Sequence, residues 1–268
     1  MISDDNRIAF VERFVVAAQQ IAATTKDMEA GVFWQHLQRS AFIVAPRRAQ
    51  GTLVEMDVLR IVDRQHFKQD YPRLPIVALY AQDTLLSEPI KGLWESDTSA
   101  AIHQSQNNTI WLKTNRREAD FIAGCQLLHE AGHSYRAVTE GRLGQLDPEK
   151  ITPHLLLEEG DMHHLEARLW KEHGGSAYTD VLDKAVYWLQ KRLRGLPGFL
   201  EMEWNEQSLN VLDGLFGRTV NMKERQHRMG SFSIYAHFEM IERSSWPNKR
   251  QHRANIIKAT YKAINHRV

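Results

Sequence analysis

"CQLLHEAGHSYR", residues 125–136, encloses a glutamate between two histidines that are four positions apart. On a helix, residues i and i+4 lie one above the other, so His129 and His133 would present their imidazole rings on the same side. Two imidazole nitrogens arranged in this way can both bind the same Zn²⁺ ion, each at a distance of about 2.0–2.1 Å. The spacing therefore predicts a helix that supplies two ligands to a metal.

Glu130 follows the first histidine by one position, which is about 100° around a helix. At that angle its carboxylate can reach a water bound to the metal without acting as a ligand itself. Zinc lowers the pKa of its water to about 7, and a neighbouring carboxylate can take the proton and return it to a leaving amine. The motif thus predicts Glu130 as the general base of a hydrolytic reaction.

The third metal ligand is expected on a second helix that contains "LLLEEGDMHHLEARLW", residues 155–170. Two histidines and one carboxylate leave the fourth tetrahedral position open to water, as in catalytic zinc sites. We favour Glu159, because His163 lies one turn further on and could support it. Glu158 is the rival, since it lies on the same stripe as the apolar residues of this helix. Less favoured alternatives on the same helix are Asp161, His163 and His164.

The single cysteine, Cys125, excludes an intramolecular disulfide and is typical of a reducing compartment. It lies four residues before His129, but a small buried residue is the simpler interpretation and we do not count it as a ligand.

The N-terminus lacks the features of a secretory signal, and no apolar run approaches the roughly 20 residues that span a bilayer. We therefore expect a cytoplasmic protein that contacts no membrane, and export by a specialised secretion system stays open.

Hydrophobic periodicity along the chain predicts an α+β fold, rich in helices, with a small and mostly antiparallel sheet packed on the active-site helix. We expect a single domain, 1–268, with a helical lead-in (1–70), a catalytic core (71–175) and a helical C-terminal extension (176–268). The strand predicted at 108–114 would be an edge strand able to bind a substrate as an added strand. The predicted helices are 4–24, 28–39, 53–67, 117–140, 154–173, 178–194, 201–216, 231–243 and 249–265, and the other predicted strands are 76–80, 92–94 and 101–103.

The C-terminal segment is basic although the formal net charge of the whole chain is only +1. From Phe216 to the end it contains eleven Lys or Arg residues and three Glu residues. A solvated helical face is the main interpretation of this segment, and a contact surface for nucleic acid or another partner is the alternative.

The sequence "HEAGH" followed by "EEGDMHHLEA" resembles the zincin-like metallopeptidases, in the gluzincin arrangement, over about 109–170. The resemblance implies a small sheet on the active-site helix, one zinc held by His129, His133 and Glu159, and Glu130 as the base. "EGDM" also resembles a Glu-x-Asp pattern of metallopeptidase domains in bacterial toxins and secreted effectors. The chain departs from the better-known gluzincins in its longer gap between the motifs and in His163, which stands where they have an aspartate.

We therefore expect a zinc-dependent metallopeptidase that acts on a protein or peptide. A metal-dependent hydrolase of another amide is the first alternative, and a DNA- or protein-binding regulator with a zincin-like sensor domain is the second.

A hydrolase also needs a hydrogen-bond donor that stabilises the oxyanion, and the sequence alone does not identify it. The candidates are Tyr135, His154, Tyr178, Tyr235 and His237.

Overall fold

The structure is a computed structural model that describes residues 4–39, 41–43, 76–80, 101–105, 108–113, 119–143, 152–192, 210, 213 and 222–265. Its chain divides into two compact units, Met1–Lys150 and Ile151–Val268. The first unit contains the helices α1 (Asp4–Thr24), α2 (Met28–Leu37) and α3 (Asp120–Thr139), and the strands β1 (Ala41–Ile43), β2 (Ile76–Tyr80), β3 (Ala101–Gln104) and β4 (Thr109–Lys113). The second contains α4 (Pro153–Arg192), α5 (Met222–Arg243) and α6 (Lys249–Asn265).

The four described strands form one mixed sheet in the order β1-β2-β4-β3. The strands β3 and β4 are antiparallel, with Ala101 opposite Leu112, whereas β1–β2 and β2–β4 are parallel. The α+β class is confirmed, but the prediction of a mostly antiparallel sheet is wrong. Only β3 and β4 are joined by a short turn, and the long connection between β1 and β2 leaves room for the crossover that parallel strands need.

The strand order also corrects the position of the sheet edge. The prediction that 108–114 forms an edge strand is wrong, because β4 is bonded to β2 on one side and to β3 on the other. Among the described strands, β3 is the outermost on this side of the sheet. An added strand would therefore pair with β3.

In the first unit, α3 is the central helix. It packs against α1, α2, β3 and β4, and twelve of its twenty residues are buried. Arg13 of α1 also forms an ion pair with Asp120 at the start of α3. The segment that we predicted as a helical lead-in therefore belongs to the same compact unit as the "HEAGH" helix. The boundary between the two units falls inside the predicted core 71–175, and the single-domain organisation stays a prediction.

The second unit is built on α4, against which α5 and α6 pack. The helix α4 is interrupted at Gly175, whose φ of 58° is a left-handed conformation that suits glycine. The sequence predicts two helices here, 154–173 and 178–194, and the break at Gly175 falls between them. None of the helices in the described ranges combines the length and the apolar character that crossing a bilayer requires.

Several predicted elements have the same bounds in the structure. The helices 4–24 and 249–265 and the strand 76–80 agree with the structure residue for residue. The strand β1 was not predicted. The helix predicted at 53–67 and the strand at 92–94 lie outside the described residues, as does nearly all of the helix at 201–216.

The contact of α3 with α1 is close at Gly124, and this gives a test of the first unit. A Cβ atom at Gly124 would lie 2.7 Å from the carbonyl carbon of Ala17 and 2.8 Å from the amide nitrogen of Ala18. Because backbone atoms cannot move aside cheaply, we expect Gly124→Ala to lower the free energy of unfolding by about 1–3 kcal/mol.

Gly31 is the matched control, since it is also helical and a Cβ atom there would meet nothing within 4 Å. We expect Gly31→Ala to raise stability by up to about 1 kcal/mol through helix propensity. Urea denaturation of both variants measures these changes, and equal effects would contradict the close contact of the two helices.

Candidate metal centre

The two motif histidines lie side by side on the buried face of α3. The Nε2 atoms of His129 and His133 are 3.2 Å apart, and each residue is only 6% exposed. A tetrahedral ion bound at about 2.0–2.1 Å to two nitrogens requires these nitrogens to be about 3.3–3.4 Å apart. The spacing of the two Nε2 atoms fits a shared zinc ion closely.

Glu130 and Cys125 occupy the same helix as the two histidines. Glu130 is half-buried, whereas His129 and His133 are buried. Cys125 is a free thiol with 1% exposure, as expected of a small core residue.

A buried polar network continues from the residue that follows His133. Ser134 donates its hydroxyl hydrogen to Oδ1 of Asn108 at 2.7 Å, and its Oγ lies 2.9 Å from Nε2 of His36. Because the only hydroxyl hydrogen of Ser134 is used in the first bond, Nε2 of His36 must be the donor in the second. His103 of β3 reaches the same Asn108 oxygen from Nε2 at 2.9 Å. The network connects α2, α3 and the β3–β4 hairpin next to a proposed metal ligand.

The sequence does not predict this network. Its members come from three elements that are far apart in sequence, and none belongs to a recognisable motif. The one local signal is the turn-rich "QSQNN" before β4, which ends at Asn108 with a φ of 49°. Asparagine tolerates this left-handed conformation better than most residues.

His36 is held in its neutral form by its surroundings. Burial, with a smaller contribution from the Arg39 charge, lowers the pKa of His36 to about 4. The ring also contacts the edge of Tyr135, with 5.6 Å between centroids. A neutral imidazole carries one N–H group, and in His36 this is the Nε2–H that donates to Ser134.

In the second unit, the two adjacent glutamates of α4 have different environments. Glu158 is 2% exposed, and its Oε2 lies 3.6 Å from Nε2 of His154. It lies on the buried stripe of α4, as the sequence indicated. Glu159 is half-buried, with 17% of its side chain exposed, and its Oε2 lies 4.0 Å from Nε2 of His163. The predicted supporting histidine is therefore the neighbour of Glu159.

Glu166, which continues the side of α4 that carries Glu159 and His163, is a buried carboxylate. It accepts a hydrogen bond at 2.8 Å from the hydroxyl of Tyr235 and another at 2.8 Å from Nδ1 of His163. Tyr235, one of the candidates for the oxyanion group, therefore already donates its hydroxyl to a carboxylate. The Nδ1 atom of His237, another candidate, bonds the carbonyl of Ser233, and burial lowers the pKa of His237.

The remaining α4 candidates have ion-pair partners in the second unit. Asp161 lies 2.7 Å from Arg250 and 3.7 Å from Arg253, and His164 lies 3.8 Å from Glu242. The two Asp161 pairs also occupy cations of the basic C-terminal segment. Arg243 adds two more, with Asp183 and Glu239.

Comparison of the chain with protein-family models, with curated proteins and with solved structures finds no match. The resemblance to zincin-like metallopeptidases therefore rests on the two sequence motifs alone.

The low pKa of His36 leads to a prediction about stability and pH. In the unfolded chain a histidine binds its proton near pH 6.5, whereas the folded protein holds His36 neutral until about pH 4. Protonation therefore favours unfolding, so the free energy of unfolding should decrease as the pH falls from about 6.5 to 4. Allowing for the partial exposure of His36, we expect a loss of about 1–2 kcal/mol.

The variant His36→Gln isolates this contribution, because glutamine can still donate a hydrogen bond but does not titrate. Denaturation measured at several pH values should show a smaller loss in the variant than in the wild type over this range. Parallel curves for the two proteins would contradict the low pKa of His36.

Proposed function

We propose that this protein is a zinc-dependent metallopeptidase that binds one zinc per chain. His129, His133 and Glu159 are its ligands, and Glu130 is its general base. The observation that carries the proposal is the 3.2 Å spacing of the two buried Nε2 atoms on a helix that also carries Glu130. With this function we propose a zincin-like fold and, because the chain contains only one cysteine, a cytoplasmic location.

The donor set supports zinc as the metal. Two imidazoles and one carboxylate are the ligand types of catalytic zinc sites, and they leave one position open. Glu159 is favoured over Glu158, because Glu158 lies beside His154 on the buried stripe of α4, whereas Glu159 is half-buried with His163 beside it. A supporting group of this kind is typical of carboxylates that bind metals.

Zinc, when bound, would lower the pKa of its water and polarise the carbonyl group of the substrate. Glu130 accepts the proton of the attacking water and then gives it to the amine nitrogen as the carbon–nitrogen bond breaks. His129 and His133 are held on a buried helix face, and this restricts the motion of their rings. A fixed arrangement of these groups lowers the barrier without reorganisation during the reaction.

The sheet offers a way to bind an extended peptide. Among the described strands, β3 lies at one of the two edges of the sheet and packs on α3, so its outer edge can pair with a peptide backbone. This arrangement favours a peptide substrate over another amide. The ion pairs of Arg243, Arg250 and Arg253 reduce the charge available for nucleic acid, which makes a DNA-binding regulator the weaker alternative.

The ligand assignment predicts the metal content of four variants. His129→Ala and His133→Ala each remove one of three protein ligands, so zinc should no longer be retained. Glu159→Ala should have a similar effect, whereas Glu158→Ala is the matched control and should keep its zinc. Elemental analysis of the purified proteins measures this. Loss of zinc in Glu158→Ala and retention in Glu159→Ala would contradict the choice of third ligand.

The role of Glu130 is tested by Glu130→Gln. Glutamine has a similar shape and leaves the three proposed ligands in place, but its amide cannot accept the proton. We expect unchanged zinc content and a loss of turnover of about 10² to 10⁴-fold. The measurement needs no chosen substrate. Wild type and Glu130→Gln are added to separate portions of one cell extract, and the new protein N-termini in each portion are identified.

Two outcomes of this comparison are decisive. New N-termini that depend on Glu130 would support the peptidase and also identify its substrates. Identical patterns from wild type and Glu130→Gln, with both proteins loaded with zinc, would refute the peptidase function.

A further inference from the structure

One face of α4 carries three residues that continue from the proposed third ligand. Glu159, His163 and Glu166 are spaced by four and three positions, so they follow one another along the same side of the helix. Tyr235 of α5 reaches the last of them. These four residues belong to the second unit, and their contacts form a continuous series.

The direction of the hydrogen bonds in this series is fixed by chemistry. A carboxylate oxygen accepts hydrogen bonds, so Tyr235 and Nδ1 of His163 both donate to Oε2 of Glu166. With Nδ1 committed to Glu166, the ring presents its other nitrogen, Nε2, toward Glu159. The Nε2 atom lies 4.0 Å from Oε2 of Glu159. The hydrogen bond to Glu166 thus sets the orientation of the His163 ring.

Glu166 itself is held firmly. It is 6% exposed, and a buried carboxylate is costly unless hydrogen bonds compensate the loss of water. The ring of Tyr235 is fixed by its edge-on contact with Trp170, with 5.1 Å between centroids. A carboxylate that orients a histidine is the arrangement that typically surrounds metal ligands in proteins.

We propose that Glu166 and Tyr235 are positioning residues of the zinc centre, which act through His163 on Glu159. This inference rests on the proposed function, because Glu159 is there assigned as the third ligand. In this role neither residue contacts the metal or the substrate. Their effect is to keep the polar edge of His163 against the Glu159 carboxylate, which restricts the positions that this carboxylate can take.

The experiment compares two single hydroxyl deletions in the full-length protein. Tyr235→Phe removes the donor to Glu166, whereas Tyr178→Phe removes a hydroxyl from a buried tyrosine that contacts the same Trp170, with 6.2 Å between centroids. Competition with a chromophoric chelator measures the affinity of each protein for zinc. We expect binding about 10- to 100-fold weaker in Tyr235→Phe and unchanged in Tyr178→Phe.

Glu166→Gln tests the same series from the other side of the hydrogen bond, and it should also weaken zinc binding by about 10- to 100-fold. It keeps the inference testable if Tyr235→Phe does not fold. Zinc affinity is the readout because a purely structural role of Tyr235 would reduce stability and leave the affinity of the folded protein unchanged.

The outcomes separate this inference from the proposed function. Wild-type affinity in Tyr235→Phe and Glu166→Gln, together with loss of zinc in Glu159→Ala, would overturn the positioning role and leave the peptidase proposal standing. Equal weakening in Tyr235→Phe and Tyr178→Phe would also overturn it, because the effect would then be one of general packing. A wild-type protein that binds no zinc would overturn both.

Discussion

Two imidazole nitrogens 3.2 Å apart on a buried helix face are the constraint that the surrounding structure has to satisfy. Two such nitrogens can lie together only if one of them donates a hydrogen or if a cation binds both. The interior around them must therefore be built to hold this pair. α3 is enclosed by α1, α2 and the sheet, and the close approach at Gly124 leaves little freedom for the helix to shift.

Polar support is arranged separately in each unit. In the first unit, Ser134 follows a motif histidine directly and joins α3 to α2 and the β3–β4 hairpin through His36 and Asn108. In the second, Glu166 and Tyr235 fix the ring beside Glu159. Both networks lie next to proposed ligands and outside the ligand set. This is the pattern expected where ligand orientation matters as much as ligand identity.

The sequence predicts the fold best where the signal is local. Long amphipathic helices such as 4–24 and 249–265 were predicted to the residue, because their apolar spacing repeats over several turns. The three residues of β1 are too few to show a pattern, and the direction of strand pairing depends on connections that periodicity does not describe. Glu166 and Tyr235 are 69 positions apart, so no local signal joins them.

The zinc K-edge X-ray absorption spectrum of the purified wild-type protein tests the central claim most directly. We expect about one zinc per chain, nitrogen and oxygen ligands at about 2.0–2.1 Å, and outer-shell scattering from two imidazole rings. A sulfur scatterer at about 2.3 Å, which would implicate Cys125, or a protein that takes up no zinc, would contradict it.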